Sequence, residues 1–305
     1  MSLEVKNIVK KYGDKVVVNG LSFKMENPGV YALLGTNGAG KTTTIRIMLG
    51  MLEHESGEVL WNGKKLNPLN VNVGYLAEER GLYPRYTIMD QLMYFAKLKN
   101  VPVSEAKNRI KYWAERLDVE KYVYKQGKKF SRADQLSKGN QQKIQLMAAL
   151  ISEPELLVLD EPLSGLDPVN SDLFKDIIKE EIAKDKYIIM SSHQMATIEE
   201  FCSNITILDK GDAVLQGDLN EIKKGYGRIN LFLKCDDDIT QYIEKFDFTN
   251  VYNTPDGYHI KVKNDSQAME ILKMLTQNNI DVVRFERREP SLHEIFVEKV
   301  GHADE

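Results

Sequence analysis

The string Gly35-Thr36-Asn37-Gly38-Ala39-Gly40-Lys41-Thr42 constrains this chain more than any other feature. It fits the pattern G-x-x-x-x-G-K-[ST], follows the apolar run 30–34 and leads into a helical pattern predicted over 43–52. Strand, glycine-rich loop and helix in that order make a cradle for phosphate. Glycines let the backbone curl so that its N–H groups converge, the helix adds the positive end of its dipole, and Lys41 supplies a mobile cation. Thr42 offers a hydroxyl to magnesium. By average residue usage the pattern arises by chance in on the order of one percent of chains this long, and the strand–loop–helix context makes chance rarer still.

A second local signal supports the first. The buried-strand run 156–159 ends in Asp160-Glu161, which places two carboxylates at the carboxyl edge of a parallel sheet, beside the phosphate loop. Asp160 is the candidate for holding Mg²⁺. Glu161 is the candidate for taking a proton from an attacking water, since phosphoryl transfer needs a positioned nucleophile more than covalent help. Alone, an apolar run followed by Asp-Glu reads equally well as a strand entering a solvated turn.

The remaining sequence sorts into three textures. Residues 3–61 are short β-type runs punctuated by glycine, 84–135 carry apolar residues at helical spacing (Met89, Leu92, Met93, Ala96, then Ile110, Trp113, Leu117), and 141–219 alternate helices with buried strands at 156–159, 187–190 and 205–208. The middle stretch reads as a helical insertion in an α/β core. Past about residue 218 a smaller α+β unit is predicted. Its strands are expected at 229–234, on both sides of the turn 254–257 and at 280–286, and its helices near 239–246, at 266–277 and at 291–300. The domains expected are therefore 1–217 and 218–305.

Composition bounds the partners. The chain has 305 residues, 42% hydrophobic and 28% charged, enough for one sizeable core and a smaller domain. With a net charge of -4 and no basic run at either end, broad attraction to nucleic acid or anionic lipid is not indicated, and no nucleic-acid partner is expected. Cys202 and Cys235 are far apart and lack metal-ligand spacing, which argues against a disulfide framework or structural zinc and suits a reducing cytosol. The start, Met1-Ser2-Leu3-Glu4-Val5, has a strand-like alternation without the apolar segment of an export signal. The longest apolar runs fall far short of the roughly 20 residues that span a bilayer as a helix. A membrane role would need another chain.

Between the two phosphate-site motifs stands Leu136-Ser137-Lys138-Gly139-Asn140-Gln141-Gln142, and after them come Ser164-Gly165-Leu166-Asp167 and Ser191-Ser192-His193. In this order and spacing residues 1 to about 217 resemble the ABC ATPase superfamily. The resemblance implies an α/β P-loop ATPase core with a β-rich amino-terminal part, a helical insertion and a small carboxyl-terminal α+β domain. It implies ATP and Mg²⁺ as cofactors, bound by Gly35, Thr36, Asn37, Gly38, Ala39, Gly40, Lys41, Thr42 and Thr43. It further implies a head-to-tail pair of cassettes in which Ser137 and Gly139 of one subunit reach the γ-phosphate of the other, with Asn140 and Asp167 also among the nucleotide-binding residues. His193 would touch the γ-phosphate beside the catalytic Glu161, and Tyr12 would stack on adenine. The metal set would be Thr42, Asp160 and Glu78.

Two departures stand out. Lys138 and Asn140 replace residues of the common Leu-Ser-Gly-Gly-Gln signature, and most cassettes carry glutamine in the place of Glu78, where a carboxylate keeps the oxygen but adds charge and loses a donor. The wording from Glu78 to Pro84, the ending Glu289-Pro290-Ser291-Leu292-His293-Glu294-Ile295-Phe296 and the extra domain look like bacterial sodium-exporter and drug-exporter cassettes. That likeness implies an ATPase that drives a separate membrane permease, homodimeric in family terms and peripheral at the cytoplasmic face of the cell membrane. Two other readings stay open from sequence: a soluble ABC ATPase acting on DNA or ribosomes, and a regulatory nucleotide-binding module. Tandem cassettes or long coiled-coil insertions would favour the first, and the intact Lys41, Asp160, Glu161 and His193 weigh against the second.

Overall fold

In the computed structural model, which describes residues 1–79, 81–124, 130–248 and 250–301, alternation and continuous apolarity produce two different sheets in one unit. The alternating amino-terminal residues form β1 (Leu3–Tyr12) and β2 (Lys15–Met25), paired antiparallel, with Leu3, Val5 and Ile8 buried. Next come β3 (Gly29–Gly35), buried at every residue but its first, α1 (Lys41–Met48), β4 (Ser56–Trp61), β5 (Lys64–Lys65) and β6 (Val73–Leu76). Helices α2 (Ile88–Leu98), α3 (Val103–Arg116), α4 (Glu120–Val123) and α5 (Lys138–Leu150) follow. The unit continues through β7 (Leu156–Asp160), α6 (Pro168–Ala183), β8 (Tyr187–Ser192), α7 (Met195–Ile198), β9 (Asn204–Asp209) and β10 (Asp212–Asp218).

One sheet has the order β2-β1-β4-β5 and is antiparallel; the other has the order β10-β9-β3-β8-β7-β6, and its strands β9, β3, β8, β7 and β6 run parallel. Parallel strands covered on both faces need apolar residues throughout, and β7 and β8 are buried at every position. The core lies between the sheets. Leu3, Phe23, Trp61, Tyr31, Val158 and Ile189 share it with Ile45 and Met48 of α1. Within the segment expected to be a helical insertion, 84–135, the described residues hold α2 to α4 and a 3₁₀ turn at Ala133–Gln135, with a single bridge between Thr87 and Arg132 in place of strands. Arg80 and residues 125–129 of the sequence reading lie outside the described residues.

The chain divides into compact units Met1–Gln216 and Gly217–Glu305. The smaller contains α8 (Leu219–Tyr226), β11 (Asn230–Cys235), α9 (Thr240–Ile243), β12 (Asn250–Thr254), β13 (Gly257–Lys261), α10 (Asp265–Gln277), β14 (Val282–Arg288) and α11 (Leu292–Val300). Its sheet order, β12-β13-β11-β14, with every neighbour antiparallel, is the split βαβ arrangement, and Leu231, Leu233, Ile260, Ile271 and Leu275 fill its core.

Several boundaries differ from expectation for identifiable reasons. Helix α1 spans Lys41–Met48, not 43–52: Gly50 takes φ 68°, and Met51 N–H returns to Arg46 C=O at 2.8 Å while Gly50 N–H returns to Ile47 C=O at 2.9 Å. That is the left-handed stop that glycine permits. Strand β14 begins at Val282 rather than 280, because Ile280 N–H bonds back to Leu275 C=O at 3.0 Å and so belongs to the end of α10. The helix expected to 246 ends at Ile243, where Lys245 and Phe246 tighten to i→i+3 bonds. Helix α8 was not anticipated; Gly225 near its end weakens its pattern, and Asp218 caps its start.

Candidate functional site

Because β3, β8, β7 and β6 are parallel, their carboxyl ends meet one edge of the sheet. The glycine loop follows β3, Glu78 follows β6, Asp160 and Glu161 lie at the end of β7, and His193 follows β8. Register completes the alignment, with Leu34 opposite Ser192 and Asp160 opposite Ser191. A cleft of about 150 Å³ opens there, lined by Val17, residues 36–43, Glu78 and Glu161.

The loop needs its glycine at position 40. Gly40 has φ 109°, and a Cβ there would come within 2.6 Å of the Val17 carbonyl oxygen. This tight approach to β2 lets α1 begin at Lys41 with its amino-terminal N–H groups at the cleft. Lys41 is buried. Its Nζ donates to the carbonyls of Gly35 at 2.8 Å and Thr36 at 3.2 Å and lies 3.3 Å from Glu161 Oε1.

Beside it, Thr42 Oγ1 donates within 3.1 Å of Asp160 Oδ1 and stands 3.4 Å from Glu78 Oε2. Asp160 is fully buried, and burial pushes its carboxyl above the usual range, aided by the nearby charges of Glu78 and Glu161 and opposed by hydrogen bonds from Ser191 and Thr42. Its Oδ2 has no hydrogen-bond partner. A buried carboxylate oxygen without a donor, next to a threonine hydroxyl and a second carboxylate, is a hard-oxygen set that suits a divalent cation such as Mg²⁺. Glu161 is also buried, and its backbone is left-handed, with φ 50°. Its Oε2 accepts from His193 Nδ1 at 2.9 Å; since a carboxylate only accepts, the imidazole proton sits on Nδ1 and Nε2 is left for another partner.

The other residues singled out in the sequence lie elsewhere. Tyr12, at the end of β1, is exposed, with the Lys10 ammonium 5.2 Å from its ring centre. Ser137 caps α5 by accepting from Asn140 N–H at 3.4 Å, and Asn140 Nδ2 donates to Tyr122 Oη at 3.0 Å. Gly139 lies in the first turn of that helix, half-buried. Asp167 caps α6, and the hydrogen bond from Asn170 N–H holds its carboxyl below the usual range. Within one chain none of these five lines the cleft.

Three contributors escaped the sequence reading of roles. Val17 walls the cleft from β2, with no signal beyond its place in an alternating run. Gln142 reaches from α5 to donate to the Pro162 carbonyl at 2.6 Å, fixing the turn after Glu161. Ser191 donates to Asp160 Oδ1 at 2.5 Å and accepts from Glu161 N–H at 2.9 Å.

Known proteins match the chain in sequence and fold. The ABC transporter family profile matches residues 18–164, and the profile described as the C-terminal domain of DrrA1-3-like ATP-binding proteins matches residues 217–300. The uncharacterized ABC transporter ATP-binding protein YhaQ of Bacillus subtilis (strain 168) is 42% identical over 300 residues, covering 98% of each chain. The chain belongs to the ABC transporter ATP-binding protein family. Nod factor export ATP-binding protein I of Burkholderia orbicola (strain AU 1054) is 31% identical over 219 residues, 70% of each chain. A solved ATP-binding subunit of an ABC transporter superposes with a TM-score of 0.68 at 30% identity, covering 74% of this chain and 94% of its own.

As an ABC ATPase the protein binds ATP and hydrolyses it in work coupled to transport. Among the described residues no helix is long and apolar enough to cross a membrane.

Proposed function

We propose that this ABC ATPase is the energy-transducing subunit of an exporter, acting as a pair of cassettes against a separate integral membrane permease at the cytoplasmic face. The observation that carries the catalytic part is the chain of contacts from Lys41 through Glu161 to His193 beside the loop. With ATP in the cleft, Lys41 exchanges the Gly35 and Thr36 carbonyls for the β- and γ-phosphates and leaves Glu161. The freed Glu161 carboxylate takes a proton from the water that attacks the γ-phosphorus, while the bond to the bridging oxygen of ADP breaks. His193 keeps that carboxylate oriented through its Nδ1–H and, with a second proton on Nε2, donates to the γ-phosphate. Thr42, Asp160 and Glu78 are the residues to hold Mg²⁺, which when bound offsets charge on the phosphates. Tyr12 stacks on the adenine.

The second cassette supplies Ser137, Gly139, Asn140 and Asp167, whose helix starts present N–H groups to the shared nucleotide. The export direction is supported by the name of the Nod factor export relative. The test is copurification of the full chain from detergent-extracted membranes of the cells that make it. An integral membrane protein retained with it in stoichiometric amount is the expected result; ribosomes or DNA in its place would overturn the transport reading.

A further inference from the structure

Strand β8 contributes more than His193. Ser191 is fully buried, in register beside Asp160, and its single hydroxyl is committed at both ends. Its proton goes to Asp160 Oδ1 at 2.5 Å, and its oxygen accepts the Glu161 N–H at 2.9 Å. A serine has one O–H to donate, so the hydroxyl serves both carboxylate residues at once. The next residue does something else, for Ser192 Oγ accepts from Gln194 N–H at 2.9 Å and shapes the turn around His193.

The contact to Glu161 is made where the backbone most needs it. A non-glycine residue at φ 50° occupies a sparsely populated region that its surroundings must enforce. The left-handed turn sets the direction of the Glu161 side chain toward Lys41 and His193. Without the Ser191 acceptor, the buried N–H has no partner and the chain gains by relaxing toward an extended φ, which swings the carboxylate away.

We propose that Ser191 is a positioning residue for hydrolysis: one buried hydroxyl locks the Asp160 carboxylate and the strained Glu161 peptide into a single arrangement. The proposal rests on Glu161 acting as the base. It is tested in the full chain by measuring ATP turnover, KM for Mg·ATP, the Mg²⁺ half-saturation, the affinity for a fluorescent ATP analogue without divalent cation, and thermal melting. Ser191→Ala is expected to lower kcat about 10- to 100-fold, the range for partners that orient a site's ligands, and to raise the Mg²⁺ half-saturation several-fold. KM and cation-free affinity should stay within about threefold, since the loop is untouched. Ser191→Thr and Ser191→Val, matched in size, isolate the hydroxyl: turnover recovered in the threonine variant and lost in the valine variant supports the role. Equal turnover in those two, or wild-type kcat in Ser191→Ala, overturns it. Glu161→Gln separates the two readings. If it turns over ATP normally, the base assignment fails; if it is inactive while Ser191→Ala is normal, only the positioning role fails.

Discussion

Lys41 illustrates how much one side chain carries. Its ammonium is held by two loop carbonyls and by Glu161, contacts that the phosphates of ATP would replace on the proposed mechanism. Charge-assisted contacts of this kind are worth about 1.5–3 kcal/mol, so Lys41→Ala should weaken ATP binding roughly 10- to 100-fold and abolish measurable turnover, as a nucleotide titration and a phosphate-release assay would record. Unchanged affinity with normal hydrolysis would refute the loop's assignment. Asp160 makes a different prediction, one with a sign. Its pKa is raised in the folded chain, so the folded state holds the proton more tightly than the unfolded state. The resulting stability is fully present below the unfolded carboxylate pKa and lost as pH rises through the folded one. At pH 8 the bare carboxylate is a net cost, and Asp160→Asn should raise the melting temperature by about 2–4 °C, on the order of 1 kcal/mol, with a smaller gain at pH 5. Saturating Mg²⁺ should stabilise the wild type and not the variant. A lower melting temperature for the asparagine form at pH 8 would contradict the account.

Elements show what local sequence can and cannot encode. The phosphate loop, the acidic end of β7 and the cap of α5 were legible because each is a short run whose meaning lies in its own letters and immediate flanks. Ser191 was not, since its partners are set by the register of β8 against β7, thirty residues away in sequence. The end of α1 was missed although Gly50 announces it, because apolar periodicity continues through Met51 and Leu52 and hides the stop. The double duty proposed for Ser137 belongs to this scale. As a helix cap it is replaceable by aspartate, which accepts the same N–H bond and suits the helix dipole. As a neighbour of a second cassette's γ-phosphate it is not. Ser137→Asp should therefore melt within about 0.5 kcal/mol of wild type, whereas Ser137→Ala loses about 1 kcal/mol. Turnover should fall strongly in the aspartate variant. Melts paired with turnover assays decide this: an active, stable Ser137→Asp protein would leave the cap as the residue's whole role.

At the scale of the molecule, nucleotide chemistry and the carboxyl-terminal unit are expected to be separable. Every residue of the cleft lies before Gly217, where the second compact unit begins, so a chain ending at residue 217 should fold and bind ATP with affinity within about threefold of the full chain. A folded truncation unable to bind would refute the division. The paired arrangement is tested by Glu161→Gln, which keeps the site's shape and the contacts of Lys41 and Thr42 but removes the base. With Mg·ATP it should accumulate dimers by light scattering, and Ser137→Arg in the same chain should abolish them. The strand order β3-β8-β7-β6 has a further consequence. The distances that matter for chemistry are counted in strand spacings of roughly 4.8 Å across the sheet edge, not in residues along the chain. Between β6 and the neighbouring β7, helices α2 to α4 contribute no residue to the cleft lining, so their surfaces can change while the cleft keeps its residues. On the proposed role, a cassette built this way can be refitted to a new membrane partner while its chemistry stays the same.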